Sequence, residues 1–96
     1  MLKKNEVTLA EAMQMMLQEF KLKSRFDETR VRVLWAKLMG KTIDTYTTEL
    51  YVRKKVLYLT IISAPLKQEL SFSKEKIIQL INEEMGQVYI KEVIIK

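Results

Sequence analysis

Leu9, Ala12, Met13, Met16, Leu17 and Phe20 recur at i, i+3, i+4, i+7, i+8 and i+11, the apolar stripe of an amphipathic helix. Thr8-Leu-Ala-Glu11 ahead of them matches a capping box, so a helix is predicted over 8–22. Its methionines, Met13, Met15 and Met16, are expected to fill core gaps, since an unbranched thioether packs adaptably. Lys21 to Arg25 then reads as a basic connector and Asp27 as the N-cap of a second helix. That helix carries Val31, Leu34, Trp35 and Leu38 at i, i+3, i+4 and i+7, and Gly40 suits the left-handed position past its end. Arg30, Lys37 and Lys41 follow one another at seven and four residues and would share a face.

The period then changes. Glu49-Leu-Tyr-Val-Arg53 and Val56 to Ile62 are rich in β-branched and aromatic residues, which predicts two strands. Lys54-Lys55 between them gives a hairpin length without the usual Asn-Gly or Asp-Gly turn. Ser63 offers an N-cap and Pro65 fits a first helical turn. Leu66, Leu70, Ile77, Ile78, Leu80, Ile81 and Met85 continue a helical pattern to Gly86, with Ser71-Phe72-Ser73 as a candidate break. Val88 to Ile95 reads as a last strand. The order is α-α-β-β-α-β. A right-handed crossover makes the last strand parallel to the second, with the first strand antiparallel on the other side. Helices on one face of this three-stranded mixed sheet give a two-layer α+β fold.

With 96 residues, 48% of them apolar, residues 1–96 form one domain with an affordable core, and 1–7 read as a flexible start. Cysteine and histidine are both absent, which removes the commonest nucleophile, general base and zinc ligands. Glu83 and Glu84 are adjacent on a helix and point apart, and no glycine loop could cradle a phosphate. The expectation is a protein that is not an enzyme and needs no metal or cofactor. No apolar run is long enough for a signal peptide or a membrane span, so a cytoplasmic location is expected.

Charge sharpens this picture. Residues 21–55 hold ten basic and four acidic side chains, so this third of the chain carries more than the whole net charge of +5. Such a field attracts polyanions. Lys21, Lys23, Arg25, Arg30, Lys37, Lys41, Arg53, Lys54 and Lys55 are the candidate nucleic-acid contacts. Strand parity adds a second surface. If Leu50, Val52, Leu57, Leu59 and Ile61 face the helices, then Tyr51, Val56, Tyr58 and Ile62 face away beside Arg53 and Thr60. Rings and cations on an open sheet suit single-stranded nucleic acid, and the apolar members suit a protein partner equally. Trp35, Gly40 and Thr47 read as structural, marking the joint between helix and sheet.

Several of these elements together resemble a known family. Val33-Leu34-Trp35 with Gly40, Thr45-Tyr46-Thr47, Leu57-Tyr-Leu-Thr-Ile-Ile-Ser63, Ala64-Pro-Leu-Lys-Gln-Glu-Leu70 and Leu80-Ile-Asn82 with Gly86 are similar in order to the DciA-like family, a bacterial group. The resemblance spans 8–96 and implies a K-homology-like fold and a role in DNA replication, in which founding members bind the replicative helicase, assist its loading and bind DNA. It supplies no catalytic residue. Three departures stand out. Many members continue into a basic C-terminal tail, where this chain stops at Lys96. Family hairpins often turn through glycine, where Lys54-Lys55 stands here. The Gly-x-x-Gly loop of RNA-binding K-homology domains is missing. The leading expectation is a replication adaptor whose partners are the helicase and DNA, single strands included. An RNA- or single-strand-binding module and a protein-interaction domain with an incidental basic surface stay open, as does the oligomeric state.

Overall fold

A computed structural model describes residues 8–96, so the expectation for 1–7 lies outside the described residues. The elements are α1 (Leu9–Met39), α2 (Lys41–Tyr46), β1 (Thr47–Arg53), β2 (Val56–Ile61), α3 (Ala64–Ser71), α4 (Lys74–Met85) and β3 (Glu92–Ile95). The fold is α+β, with four helices and one three-stranded sheet in the order β1-β2-β3. β1 runs antiparallel to β2, and β3 runs parallel to it. This is the arrangement that the connectivity predicts, because the crossover through α3 and α4 returns the chain beside β2.

The first half differs from the sequence expectation. The two N-terminal helices are one, 31 residues long and unbroken through Lys21–Arg25. Nothing in that stretch is a glycine or proline, so no residue there costs more than about 0.7 kcal/mol in a helix. Asp27 is therefore not an N-cap. It lies mid-helix, buried, and pairs with Lys23 Nζ one turn earlier at 3.0 Å. At the true N-terminus the capping box forms as predicted, with Thr8 Oγ1 accepting from the Glu11 amide at 3.0 Å and Glu11 Oε1 accepting from the Thr8 amide at 3.2 Å.

One apolar face runs the whole length of α1. Eighteen residues are five turns, so Met13 lies above Val31, Met16 above Leu34, Leu17 above Trp35 and Phe20 above Leu38. The C-terminal half of this face is covered: Val31 and Trp35 are fully buried in a core built with Leu57, Leu59, Ile61, Leu70, Ile77, Ile81, Ile90 and Val93. The N-terminal half is not. Leu9, Met13, Met16 and Phe20 are 60 to 78% exposed, so the methionines fill no core. The helix overhangs its own domain, and the molecule measures 64 × 22 × 20 Å.

At Gly40 the chain takes φ 90° and ψ 166°, a region open essentially to glycine alone. This glycine ends α1 and starts α2, a single helical turn and a half where the sequence reads as a polar connector. Lys41 thus stands on α2 and does not share a helix face with Arg30 and Lys37. β1 opens on Thr47, whose side chain joins the layers. Its Oγ1 accepts from the buried Trp35 indole N–H at 3.0 Å and donates to the Ile43 carbonyl at 2.7 Å. Arg32 adds Nη2 contacts to the Thr47 carbonyl at 3.4 Å and to Asp44 Oδ1 at 3.3 Å. The second is an ion pair without hydrogen-bond geometry, which leaves Asp44 Oδ1 buried with no donor aimed at it. Thr47→Val keeps the volume and strands the indole N–H in a dry core. Urea denaturation should show a loss of about 1–2 kcal/mol, and Trp35→Phe should cancel part of that loss in the double mutant.

After β2, the helical pattern does break at Ser71–Ser73 into α3 and α4. Ser63 caps α3 with its side chain, and Gly86 ends α4 in the left-handed conformation at φ 73°. β3 is shorter than the predicted Val88–Ile95, because residues before Glu92 serve a different purpose. The Asn82 side chain accepts from the Tyr89 and Ile90 amides, both at 2.9 Å, and donates to the Ile90 carbonyl at 2.8 Å. It holds the loop so that Ile90 is driven fully into the core.

Candidate nucleic-acid and partner interface

The core residues of the strands, Leu57, Leu59, Ile61 and Val93 with Leu50, Val52 and Ile95, all belong to the helix-covered face. Strand alternation then leaves Tyr51, Val56, Tyr58, Thr60 and Ile94 on the other face. Tyr51 and Tyr58 are directly opposite in register, and their rings stack with centroids 4.8 Å apart and planes 13° from parallel. The Arg53 guanidinium stands 5.4 Å from the Tyr51 ring centre, and Lys96 Nζ stands 5.7 Å from that of Tyr58. Because the rings face each other, the cations take their outer sides. The ring faces are thus engaged within the protein, and what the stack presents outward is positive charge held by cation–π attraction. Such a surface suits phosphate better than a stacked base.

Lys96 is absent from the sequence-derived set. Its backbone continues the ladder past Ile95, with its amide donating to the Leu59 carbonyl at 2.8 Å and its carbonyl accepting from the Ile61 amide at 3.0 Å. The alternation Glu92, Ile94, Lys96 was the signal that could have found it. Ile62 follows the end of β2 and is exposed. Glu49 interrupts the positive character of the face, where Thr60 Oγ1 donates to its Oε1 at 3.1 Å.

Beside this face the β1–β2 turn is a two-residue loop of Lys54 and Lys55, with φ 50° and 64°. Two left-handed residues in succession define the type I′ hairpin turn, whose twist matches the strands. Non-glycine residues pay about 1–2 kcal/mol each for that conformation. Both lysine side chains are exposed, Lys55 Nζ reaching the Val88 carbonyl at 2.9 Å. Two helix-facing bonds seat the hairpin end against α1: Glu28 Oε1 accepts from the Val52 amide at 3.2 Å and from Arg53 Nη1 at 3.4 Å.

This contact decides which cations gather. Lys21, Arg25, Glu28 and Arg32 recur at i, i+4, i+7 and i+11 and share one side of α1, the side that meets β1. Lys21 and Arg25 therefore lie within about two turns, or about 11 Å along the axis, of the hairpin contact. Lys23, Arg30 and Lys37 recur at seven-residue steps on another side, where Arg30 donates to the Glu84 carbonyl of α4 at 3.2 Å. Lys37 and Lys41 sit at the far end of α1, away from the hairpin tip. Of the nine sequence-derived candidates, Arg53, Lys54 and Lys55 adjoin one another at the hairpin end, and Lys21 and Arg25 share the side of α1 on which Glu28 meets Arg53; Lys23 and Arg30 face the end of α4 and the loop whose Val88 carbonyl Lys55 reaches.

Tyr89 stands between the loop held by Asn82 and the middle of α1. Burial, and then the negative charges of Asp27 and Glu28, push its phenol above the ordinary value of 10.0. The folded value lies above the unfolded one, so this contribution to stability is whole below about pH 10 and is lost as pH rises through the folded value. Urea midpoints measured on either side of pH 10 should fall for the wild type and fall less for Tyr89→Phe.

Among the described residues, no three Asp, Glu, His or Cys side chains are grouped to hold a metal ion. No helix among them is long and apolar enough to cross a membrane. The sequence model of the family described as "Dna[CI] antecedent, DciA" matches residues 8–95. The chain belongs to the DciA family. The match begins at the helix cap Thr8, so the overhanging half of α1 lies within the DciA region as fully as the sheet does. DciA is a replication-associated family and not one of known enzymes. No curated protein and no solved structure matches the chain.

Proposed function

We propose that this DciA-family chain is a non-enzymatic adaptor in bacterial DNA replication that binds DNA and the replicative helicase. Its architecture reads as K-homology-like, elaborated by the long α1 and the short α2. The DNA part rests on one observation above all: two adjacent lysines held in a strained turn beside Arg53, which bonds Glu28 on the side of α1 that also carries Lys21 and Arg25. Left-handed lysines are costly where Asn-Gly would be easy, and strain of this kind collects where a side chain has work to do. DNA phosphates would lie along the hairpin tip and the Arg53 and Lys96 edge of the open sheet. The helicase part rests on family membership.

Fluorescence anisotropy with single- and double-stranded oligonucleotides over a salt series tests the DNA contact. Five phosphate contacts give a log–log salt slope of roughly −3.5 on single strands and −4.5 on duplex. A flat salt response, or no binding at low salt, removes DNA from the proposal. Tighter binding to RNA than to DNA of the same sequence would instead favour the RNA-binding reading. Co-sedimentation with purified replicative helicase tests the adaptor role separately, and failure to co-sediment removes it.

A further inference from the structure

We infer that the open face of the sheet is a homodimer interface, on which a second copy of this chain packs sheet to sheet. Strand register lays this face out in rows. Arg53, Val56 and Glu92 stand side by side at the hairpin end. Tyr51, Tyr58 and Ile94 form the middle row. Glu49, Thr60 and Lys96 form the last, where the backbone bonds of Lys96 to Leu59 and Ile61 set it beside Thr60. Ile62 follows on the line of β2 and is 63% exposed. Apolar side chains thus run down the middle, and four exposed charges sit at the corners. Like charges share a diagonal: Arg53 and Lys96 on one, Glu49 and Glu92 on the other. The face as a whole is neutral, unlike the lysine turn beside it.

A face with this pattern is complementary to itself. A two-fold axis along β2, midway between the two sheets, sets β1 over β3 of the second copy. Arg53 then meets Glu92 of the second copy, Glu49 meets its Lys96, and each pair occurs twice. Val56, Tyr58 and Ile62 meet their own counterparts, and Tyr51 meets Ile94. A two-fold axis across the strands also opposes unlike charges, but it sets Val56 on Thr60 and Ile62 over the lysine turn. Only the first axis keeps apolar side chains on apolar ones. Arg53 and Lys96 lean on the tyrosine rings, which holds both cations on this face. Glu28 reaches Arg53 from the side of α1 at 3.4 Å, and a guanidinium has donors for two carboxylates. Sheets stacked in this way lie about 10 Å apart with strands within about 30° of each other. The contact is isologous and closes as a dimer.

Size sets its strength. The face is three strands, or about 14 Å, wide and about 20 Å long. Two copies bury roughly 1,000 Å² in total, the lower end of specific interfaces, so dissociation in the micromolar range is expected. The apolar centre supplies the affinity, and the corner charges select the partner and its register. None of this rests on the DNA reading. Both lysine turns stay outside the contact, and DNA competes with the second copy only at Arg53 and Lys96, so association is measured without nucleic acid.

Sedimentation velocity from about 1 to about 200 µM should move the wild type from monomer towards twice its mass. Glu92→Arg changes an exposed side chain and sets like charges against each other at two corners. It should weaken association at least about tenfold while circular dichroism holds. Adding Arg53→Glu to the same chain exchanges the signs and should restore the dimer. With the axis across the strands, Glu92 faces Lys96 and Arg53 faces Glu49, and the double variant would be weaker than either single one. Wild type that remains monomeric at the highest concentration overturns the inference, as does Glu92→Arg associating like the wild type. A double variant that keeps the wild-type dichroism and stays monomeric overturns the axis along β2 and the pairing built on it.

Discussion

Exchanging Lys54 and Lys55 for Asn and Gly should yield a protein that is more stable and binds DNA more weakly. Both positions have positive φ, and Asn-Gly is the pair that a type I′ turn accepts with least strain. Relieving two left-handed lysines should raise the unfolding free energy by about 1–2 kcal/mol, after loss of the exposed Lys55–Val88 contact. The same exchange removes two cations from the hairpin end beside Arg53. At physiological salt each lost phosphate contact weakens binding by roughly four- to sixfold, so the pair should cost roughly 15- to 30-fold and flatten the salt slope by nearly two. Urea midpoints and anisotropy titrations on the same preparation read both effects. The opposite signs matter: a loss of binding in a stabilised protein is not a loss of folding. Unchanged affinity in the more stable variant would show that the hairpin tip is not a DNA contact.

Asn82→Ala should have the largest effect on stability of any single truncation outside the apolar core. One side chain bonds the Tyr89 and Ile90 amides and the Ile90 carbonyl, and when it is cut back the Ile90 amide and carbonyl lose this partner while the Tyr89 amide keeps only its bond to the Gln87 carbonyl at 2.9 Å. Three half-buried hydrogen bonds amount to about 2–4 kcal/mol, or roughly 10–25 °C in the melting temperature of a domain this size. Asn82→Asp keeps the two acceptor bonds but turns a negative charge towards the Ile90 carbonyl, so it should fall between wild type and alanine. Amide exchange adds a local reading: the β3 amides should lose protection before those of β1 and β2. A cost for Asn82→Ala below about 1 kcal/mol would mean that Ile90 and Val93 hold the loop by burial alone.

The strands were the most legible part of this fold. Runs such as Val56 to Ile61 leave the backbone little alternative, and a helical connection between two strands admits essentially one handedness. The same holds for the break at Ser71–Ser73, the stop at Gly86 and the capping box at Thr8, each set by a few neighbouring residues. Asp27 misled because an aspartate before a helical pattern is a good N-cap, while the same residue mid-helix costs only tenths of a kcal/mol. Local signals of that size are overridden once the preceding helix supplies hydrogen bonds to continue. Thr47 was recognisable as an element of the family pattern, but its work, accepting a hydrogen bond from the Trp35 indole N–H across twelve residues, appears only when the layers meet.

The candidate site divides along the same line. An excess of cations in residues 21–55 is a property of the sequence, and so is the parity that puts Tyr51 and Tyr58 on one side of the sheet. Which cations meet depends on Glu28 bonding to Val52 and Arg53, a contact between residues 24 and 25 apart. That both lysines of the turn are left-handed, that Arg53 and Lys96 flank the tyrosine stack, and that the N-terminal half of a perfect helical stripe is exposed among the described residues are equally tertiary facts. Periodicity records which face of a helix is apolar, since it depends only on neighbours along the chain. What covers that face depends on where the rest of the chain has gone, and here the chain folds back over Val31 and Trp35 and leaves Leu9 to Phe20 exposed.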